Sequence, residues 1–257
     1  MHLIIGGSGF IGTRLCKRLK RAKIPFQIVD KQKSNSFPEL TQICDIRERE
    51  KLLKTETRAD TIINLAAEHR DDVNPKALYD EVNVLGSQYI CDLAEAKSIN
   101  KIIFTSSVAV YGFAKRGTDE NGKIDPFNDY GRTKHEAELV YKKWQEKDPR
   151  NRTLVIVRPT VVFGEQNRGN VYNLFKQIAS GRFIMVGRGE NLKSMAYVEN
   201  VAAFLEFSSR LTSGVHIYNY IDKPDFDMNS LVLRIKRALG QVGNTGISVP
   251  FWLGLLT

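Results

Sequence analysis

The sequence predicts an α/β fold: a doubly wound parallel sheet with a smaller lobe growing from its C-terminal part. Three observations carry this. Short apolar runs, "HLIIG" (2–6), "FQIVD" (26–30), "TIINLAA" (61–67), "KIIFTSS" (101–107) and "TLVIVRP" (153–159), read as strands buried on both faces. Stretches near 10–22, 46–56, 77–97 and 130–147 read as helices between them, and this alternation builds right-handed βαβ crossovers. A glycine-rich turn, "GGSGFIG" (6–12), joins the first strand to the first helix.

The first helix continues as "TRLCKRLKRAK" (13–23), with Leu15 and Leu19 four apart and basic residues on the other faces, so it reads as a solvated amphipathic helix. The second strand ends at Asp30, Asp45 and Ile46 follow the third, and "NLAA" (64–67) closes the fourth. The fifth runs into "TSSVAVYG" (105–112). "GVHIYNY" (214–220) predicts a further strand, and "DMNSLVLRIKRALG" (227–240) a helix that opens near Asp227 or Asn229 and closes at Gly240. From about residue 164 the alternation loosens. The expected division is therefore 1–163 for the sheet domain, and 164–257 for a lobe interleaved with late elements of the sheet. "ISVPFWLGLLT" (247–257) stops in apolar residues where a terminus is usually polar, so the lobe is expected to be truncated here.

With 257 residues, 42% hydrophobic and 26% charged, the chain is long enough for a full α/β core and is not of disordered composition. Cys16, Cys44 and Cys91 have no metal-like spacing, which points to a reducing compartment and a cytoplasmic protein. No apolar run approaches ~18 residues, so no transmembrane segment is expected. Much of the net charge of +9 lies in residues 13–23; elsewhere Lys and Arg are scattered without aromatic interleaving, which argues against nucleic acid and suits an anionic small substrate or an acidic membrane face. His2, His69, His135 and His216 are dispersed, and "HEAEL" (135–139) lacks the second histidine of a zinc helix, so no metal site is expected. His69 reads first as an exposed loop residue and second as a substrate ligand.

Gly6, Gly9 and Gly12 are spaced G-x-x-G-x-x-G, and Gly7, Gly9 and Gly12 satisfy G-x-G-x-x-G, with Phe10 and Ile11 opening the helix. Such a turn lets the backbone approach a pyrophosphate, whose charge meets the helix N-terminal amides. Strand before and helix after give it the context of a dinucleotide site of Rossmann type. Asp30 can accept hydrogen bonds from a ribose diol and repel a 2′-phosphate, which favours NAD. Lys31, Lys33 and Arg14 lie near enough in sequence to leave NADP open. Asp45 and Ile46 can meet the adenine, and Leu65, Ala66 and Ala67 are small or apolar enough for close backbone approach to the cofactor.

"DYGRTKHEAE" (129–138) places Tyr130 and Lys134 at i,i+4, on one face of a helix. A phenol becomes a usable base when a neighbouring ammonium and a nicotinium ring favour its anion. Ser107 is the hydroxyl that can share the reacting oxygen, and Ser106 reads as support for the strand end. Trp144 and Trp252 read as packing residues.

Together these residues resemble the nucleotide-sugar epimerase/dehydratase family of extended short-chain dehydrogenases/reductases. The resemblance runs through "GGSGFIG", "NLAA", "VNVLGSQYICDLA", "FTSSVAVYG", "YGRTK", "VRPTVVFG" and "YVENVA". It implies a Rossmann domain holding NAD(P) and a C-terminal lobe holding a nucleoside-diphosphate sugar, with a homodimer as the expected assembly. By motif position it makes Ser107, Tyr130 and Lys134 the catalytic triad and Asn83 the asparagine on the long helix beside the cofactor. Family dehydratases carry an Asp-Glu pair after the strand-end hydroxyl; here Val108 and Ala109 stand there, so elimination lacks its acid and base. The family's phosphate-gripping arginine is replaced by Lys193, which supplies charge without a bidentate fork. "GEQNRGNVYN" (164–173) offers Arg168 and Asn170 as further substrate contacts. The expected activity is an NAD-dependent 4-epimerase on a nucleoside-diphosphate hexose, most simply a UDP-sugar, working through a 4-keto intermediate. A 4-ketoreductase using NAD(P)H is the alternative. A cofactor sensor or RNA-binding protein stands behind both, because the Tyr–Lys pair is kept.

Overall fold

The computed structural model describes residues 1–70, 72–241 and 243–250. Phe251–Thr257, and with them Trp252 and most of the apolar end, lie outside the described residues. The chain divides into two compact units, Met1–Thr160 with Val198–Tyr220, and Val161–Tyr197 with Ile221–Thr257.

The first unit is a seven-stranded, all-parallel sheet. Its strands are β1 (His2–Ile5), β2 (Phe26–Asp30), β3 (Thr41–Ile43), β4 (Thr61–Asn64), β5 (Lys101–Thr105), β6 (Thr153–Pro159) and the later β11 (Gly214–Tyr220). They lie in the order β3-β2-β1-β4-β5-β6-β11, each neighbour parallel. The order reverses between β1 and β4, where Ile5 stands opposite Asn64, and the crevice outside the carboxyl ends of these strands is the ligand site of such sheets. The helices on the sheet are α1 (Phe10–Arg21), α2 (Arg49–Leu53), α4 (Gly86–Ala96), α5 (Asp129–Glu146) and α7 (Val198–Ser208).

The strands are apolar throughout because both faces are covered; Leu3, Ile5, Ile62, Ile102, Phe104, Leu154 and Ile156 share one core with Ile90, Leu93, Tyr141 and Trp144. The basic residues of α1 are partly paired. Arg14 faces Glu199 at 3.3 Å and Arg18 faces Glu206 at 2.5 Å, both on α7, which ties the amphipathic helix to its neighbour α7.

Two predicted elements differ in detail. The run 101–107 leaves the sheet at Thr105, and Val108–Tyr111 forms a 3-10 turn capped by Ser107, whose Oγ accepts from the Ala109 amide. The helix expected over 77–97 is a short α3 (Ala77–Tyr79), a π-helical turn (Asp80–Leu85) and α4. Such π-turns recur at functional sites, and this one carries Asn83.

The second unit holds β7 (Val161–Phe163), α6 (Asn170–Ala179), β8 (Ile184–Val186), β9 (Leu192–Lys193), β10 (Met195–Tyr197), β12 (Phe226–Asp227), α8 (Met228–Ala238) and β13 (Ile247–Val249). The strands pair as β7–β10, β9–β12 and β8–β13 around a small core of Val171, Ile178, Met185, Met195, Met228, Leu231 and Val232. Asp227 caps α8 by accepting from the Ser230 amide, as the sequence reading of that helix start allows.

Candidate active site

The glycine turn lies where β1 gives way to α1. A Cβ on Gly12 would fall 2.6 Å from the Gly6 carbonyl, and one on Gly6, at φ +79°, would fall 2.6 Å from the Ala66 amide. Only hydrogen atoms fit, so the turn lies against the end of β4 and leaves the α1 N-terminus uncapped by any side chain. Asp30 braces the turn from β2: its carboxylate accepts from the Ser8 amide at 2.9 Å and the Gln32 amide at 3.0 Å. A carboxylate has about four acceptor positions, so Asp30 keeps capacity for a ribose diol. The donor set therefore fits a dinucleotide.

The other cofactor-side residues are more occupied than the sequence suggests. Asp45 is held by Arg47, which donates from its amide, Nε and Nη2; those bonds hold the carboxyl below its usual range. Ile46 is buried and packs where a Cβ on Gly86 would meet it at 2.6 Å. Leu65 donates its amide to the Ile5 carbonyl, and Ala66 to Asn64 Oδ1, which shapes the loop from β4; Ala67 is half-buried beside them. Asn83 uses its whole amide internally: Oδ1 accepts from the Glu68 amide at 2.9 Å, and Nδ2 donates to the Glu68 carbonyl and to Thr133 Oγ1, each at 3.0 Å. It fastens the loop after β4 to α5, next to Lys134.

The residues expected to form the catalytic wall come from the end of β5 and from α5. Asn128 caps α5 by accepting from the Gly131 amide at 2.8 Å, which places Tyr130 in the first turn. The Tyr130 hydroxyl lies near Ser107, and burial raises its pKa while the Ser107 hydroxyl opposes the rise. Lys134 is buried with its Nζ 4.3 Å from the Phe104 ring centroid; burial brings its pKa down to about 7, with Glu138 opposing the fall. Val108 and Ala109 follow Ser107 in the 3-10 turn, and neither can carry a proton.

Ser106 donates to Glu138 Oε1 at 2.5 Å, the supporting role read for it in the sequence. Glu138 is itself paired with Arg158 on β6, at 2.8 Å and 2.6 Å. Sequence reasoning did not single out this pair. Two signals were present: Glu138 follows Lys134 by four residues, and Arg158 interrupts an apolar strand, where a charge requires a buried partner.

The expected substrate residues all lie in the second unit. Arg168 is exposed in the loop before α6, Asn170 is the first residue of α6, and Lys193 ends β9 opposite Phe226.

A parallel sheet with a glycine turn at its switch point and a Ser–Tyr–Lys wall defines an extended short-chain dehydrogenase/reductase, an NAD-dependent enzyme. The chain belongs to the NAD dependent epimerase/dehydratase family, whose model matches residues 2–219. It is 49% identical, over 99% of its length and 76% of the relative's, to the N-acetyl-alpha-D-glucosaminyl-diphospho-ditrans,octacis-undecaprenol 4-epimerase of Escherichia coli O157:H7. A putative UDP-glucose 4-epimerase of Methanocaldococcus jannaschii is 29% identical over 79% of this chain and 71% of its own. Among solved structures, the UDP-N-acetylglucosamine 4-epimerase of Bacillus cereus superposes with a TM-score of 0.84 at 16% identity, over 97% of this chain and 84% of that one. The NAD complex of Thermus thermophilus UDP-glucose 4-epimerase gives 0.80 at 20% identity, over 97% and 86%. These two structural matches establish the fold.

Proposed function

We propose that the protein is a 4-epimerase of an N-acetylhexosamine carried on a diphosphate. One observation carries the reading: Ser107 and Tyr130 come together beside buried Lys134, while the places where a dehydratase needs its acid and base are Val108 and Ala109. The wall can therefore move one proton at one sugar hydroxyl and cannot expel water from C6. The relative at 49% identity acts on N-acetylglucosamine linked through diphosphate to undecaprenol, and this supports the same sugar here. UDP, the carrier expected from the sequence, presents the same diphosphate.

In this reading bound NAD supplies the hydride acceptor and donor. Gly6, Gly7, Gly9, Phe10, Ile11 and Gly12 form its pyrophosphate cradle, and Asp30 takes the ribose diol. Asp45 and Ile46 border the adenine side, with Leu65, Ala66 and Ala67 against the cofactor. Asn83 acts by holding the loop from β4 in place. Tyr130, as phenolate, takes the proton from O4 as hydride leaves C4; Ser107 donates to the developing ketone oxygen; Lys134 stabilises the phenolate by charge. The ketone then turns its other face to the same groups, and Tyr130 returns the proton to O4 as hydride returns to C4. Lys193, Arg168 and Asn170 serve the diphosphate.

No helix among the described residues is long and apolar enough to cross a membrane. We take the working state to be a cytoplasmic homodimer, checked by light scattering and fractionation. The function is tested by incubating the protein with UDP-N-acetylglucosamine and with polyprenyl-diphospho-N-acetylglucosamine in parallel, with NAD. Conversion of either to its C4 epimer supports the reading; inertness toward both sinks it.

A further inference from the structure

We propose that the buried Glu138–Arg158 ion pair is the positioning element of the catalytic wall, anchoring the strand end that carries Ser107 and fixing a negative charge one turn behind Lys134. The inference rests on the reading that Ser107, Tyr130 and Lys134 do the chemistry, and it assigns a role to two residues outside that trio.

The geometry gives the pair two routes to the site. Through β5, Glu138 Oε1 accepts from Ser106 Oγ at 2.5 Å, and the Ser106 amide donates to the Val157 carbonyl at 2.7 Å, so the residue before Ser107 is held at both ends. Along α5, Glu138 is i+4 from Lys134 and i+8 from Tyr130, on the same helix face. Arg158 extends the hold to the 3-10 turn: its Nη1 donates to the Tyr111 hydroxyl at 2.5 Å, and that hydroxyl donates to Asn219 Oδ1 at 2.8 Å.

The charged and titratable groups around Glu138 come from every neighbouring element. Arg158 lies on β6, Lys134 on α5, and Tyr111 on the 3-10 turn. His135 Nδ1 on α5 is 3.9 Å from Oε2, and the Glu120 carbonyl accepts from Arg158 Nη1 at 3.3 Å. Burial alone would raise the Glu138 pKa, but the hydrogen bonds from Arg158 and Ser106, with the His135 ring nearby, outweigh it and hold it down to about 2, so the carboxylate stays charged across the working range. Of the charges in this cluster, Glu138 is the one that acts on Lys134, opposing the burial that draws its proton away.

Stability alone does not call for this arrangement. Apolar residues of similar volume often replace a buried ion pair at no loss, whereas removal of one partner is costly. The distinguishing quantity is therefore the charge state of the wall. Without Glu138, burial acts on Lys134 unopposed, the ammonium loses its proton at lower pH, and the Tyr130 phenolate loses its cation.

The test uses the whole chain with saturating NAD. Tyr130 ionisation is read as the phenolate absorbance that Tyr130→Phe removes, followed against pH in three backgrounds. Glu138→Gln is expected to lower the melting temperature and to shift Tyr130 ionisation upward by about one pH unit or more. The charge-free Glu138→Leu/Arg158→Met pair is expected to restore the melting temperature but keep the upward shift. Glu138→Asp, which retains the charge, is expected to titrate near the unaltered protein. A double variant with an unaltered Tyr130 titration would overturn the inference and leave the pair purely structural. If Tyr130→Phe removes no phenolate signal near neutral pH, the site reading falls and this inference with it.

Discussion

Replacing Gly131 by alanine should slow the enzyme by about a hundredfold, although the same change in an ordinary exposed helix would add roughly 1 kcal/mol of stability. Gly131 sits in the first turn of α5, beside Tyr130. An ideal Cβ there falls 2.5 Å from the Ala109 carbonyl oxygen and 3.0 Å from Pro126 Cβ. Ordinary contact begins at 3.4 Å, so α5 and the 3-10 turn must part by about 0.9 Å. That turn is capped by Ser107, so the displacement opens the Ser107–Tyr130 pair itself. A misplacement of about 1 Å in a reacting geometry can cost ~10²-fold, and overpacking costs ~1–3 kcal/mol, more than the helix gains. NAD affinity should stay close to that of the unaltered protein, because the glycine turn lies on β1 and α1. The assay is turnover beside calorimetric NAD binding and a thermal melt. A variant that is as active as its parent and melts higher would refute the reasoning.

Three further outcomes follow from the same geometry. Tyr130→Phe should keep the fold and bind NAD while turnover falls by at least ~10²–10⁴, measured as epimer formed per enzyme; near-normal activity would remove Tyr130 from the mechanism. Asp30→Ala should narrow the preference for NAD over NADP, read by calorimetry with both cofactors, and tighter NADP binding to the unaltered protein would contradict the role given to Asp30. Glu138 has a folded pKa of about 2, below the ordinary 4.5, so its contribution to stability is present above pH 4.5 and is lost as pH falls toward 2. The full loss is roughly 3 kcal/mol, of which about 2 kcal/mol is reached at pH 3, to be seen as a lower urea midpoint at pH 3 than at pH 7 that flattens in Glu138→Leu/Arg158→Met. An unaltered protein whose midpoint does not fall would contradict the assignment.

The sheet was legible because parallel strands covered on both faces have to be apolar runs, and "HLIIG", "TIINLAA" and "KIIFTSS" are such runs. The glycine turn was legible because its spacing follows from close contacts, here between Gly12 and Gly6 and between Gly6 and Ala66. The Tyr130–Lys134 pair was legible because four residues make one helical turn. What the sequence hid depends on contacts distant in the chain. Asn83 is spent on Glu68 and Thr133, and nothing local to residue 83 says so. The π-turn around it leaves the same residue types in place and changes only the hydrogen-bond step. Ser106 and Arg158 meet Glu138 from positions 32 and 20 residues away, so the buried network appears only once β5, β6 and α5 are packed. The loosened pattern after residue 164 reflects strands of two or three residues, too short to show a period.

The central claim is that hydride leaves C4 and returns to C4 of the same sugar from the other face. The most direct measurement supplies diphosphate-linked N-acetylglucosamine carrying deuterium at C4, with catalytic NAD, and follows the product by mass spectrometry and proton NMR. The account predicts a product of unchanged mass, inverted at C4, with the deuterium still on C4 and no net consumption of cofactor. Loss of water from the product, or deuterium transferred stoichiometrically to free cofactor while the sugar remains oxidised, would contradict it.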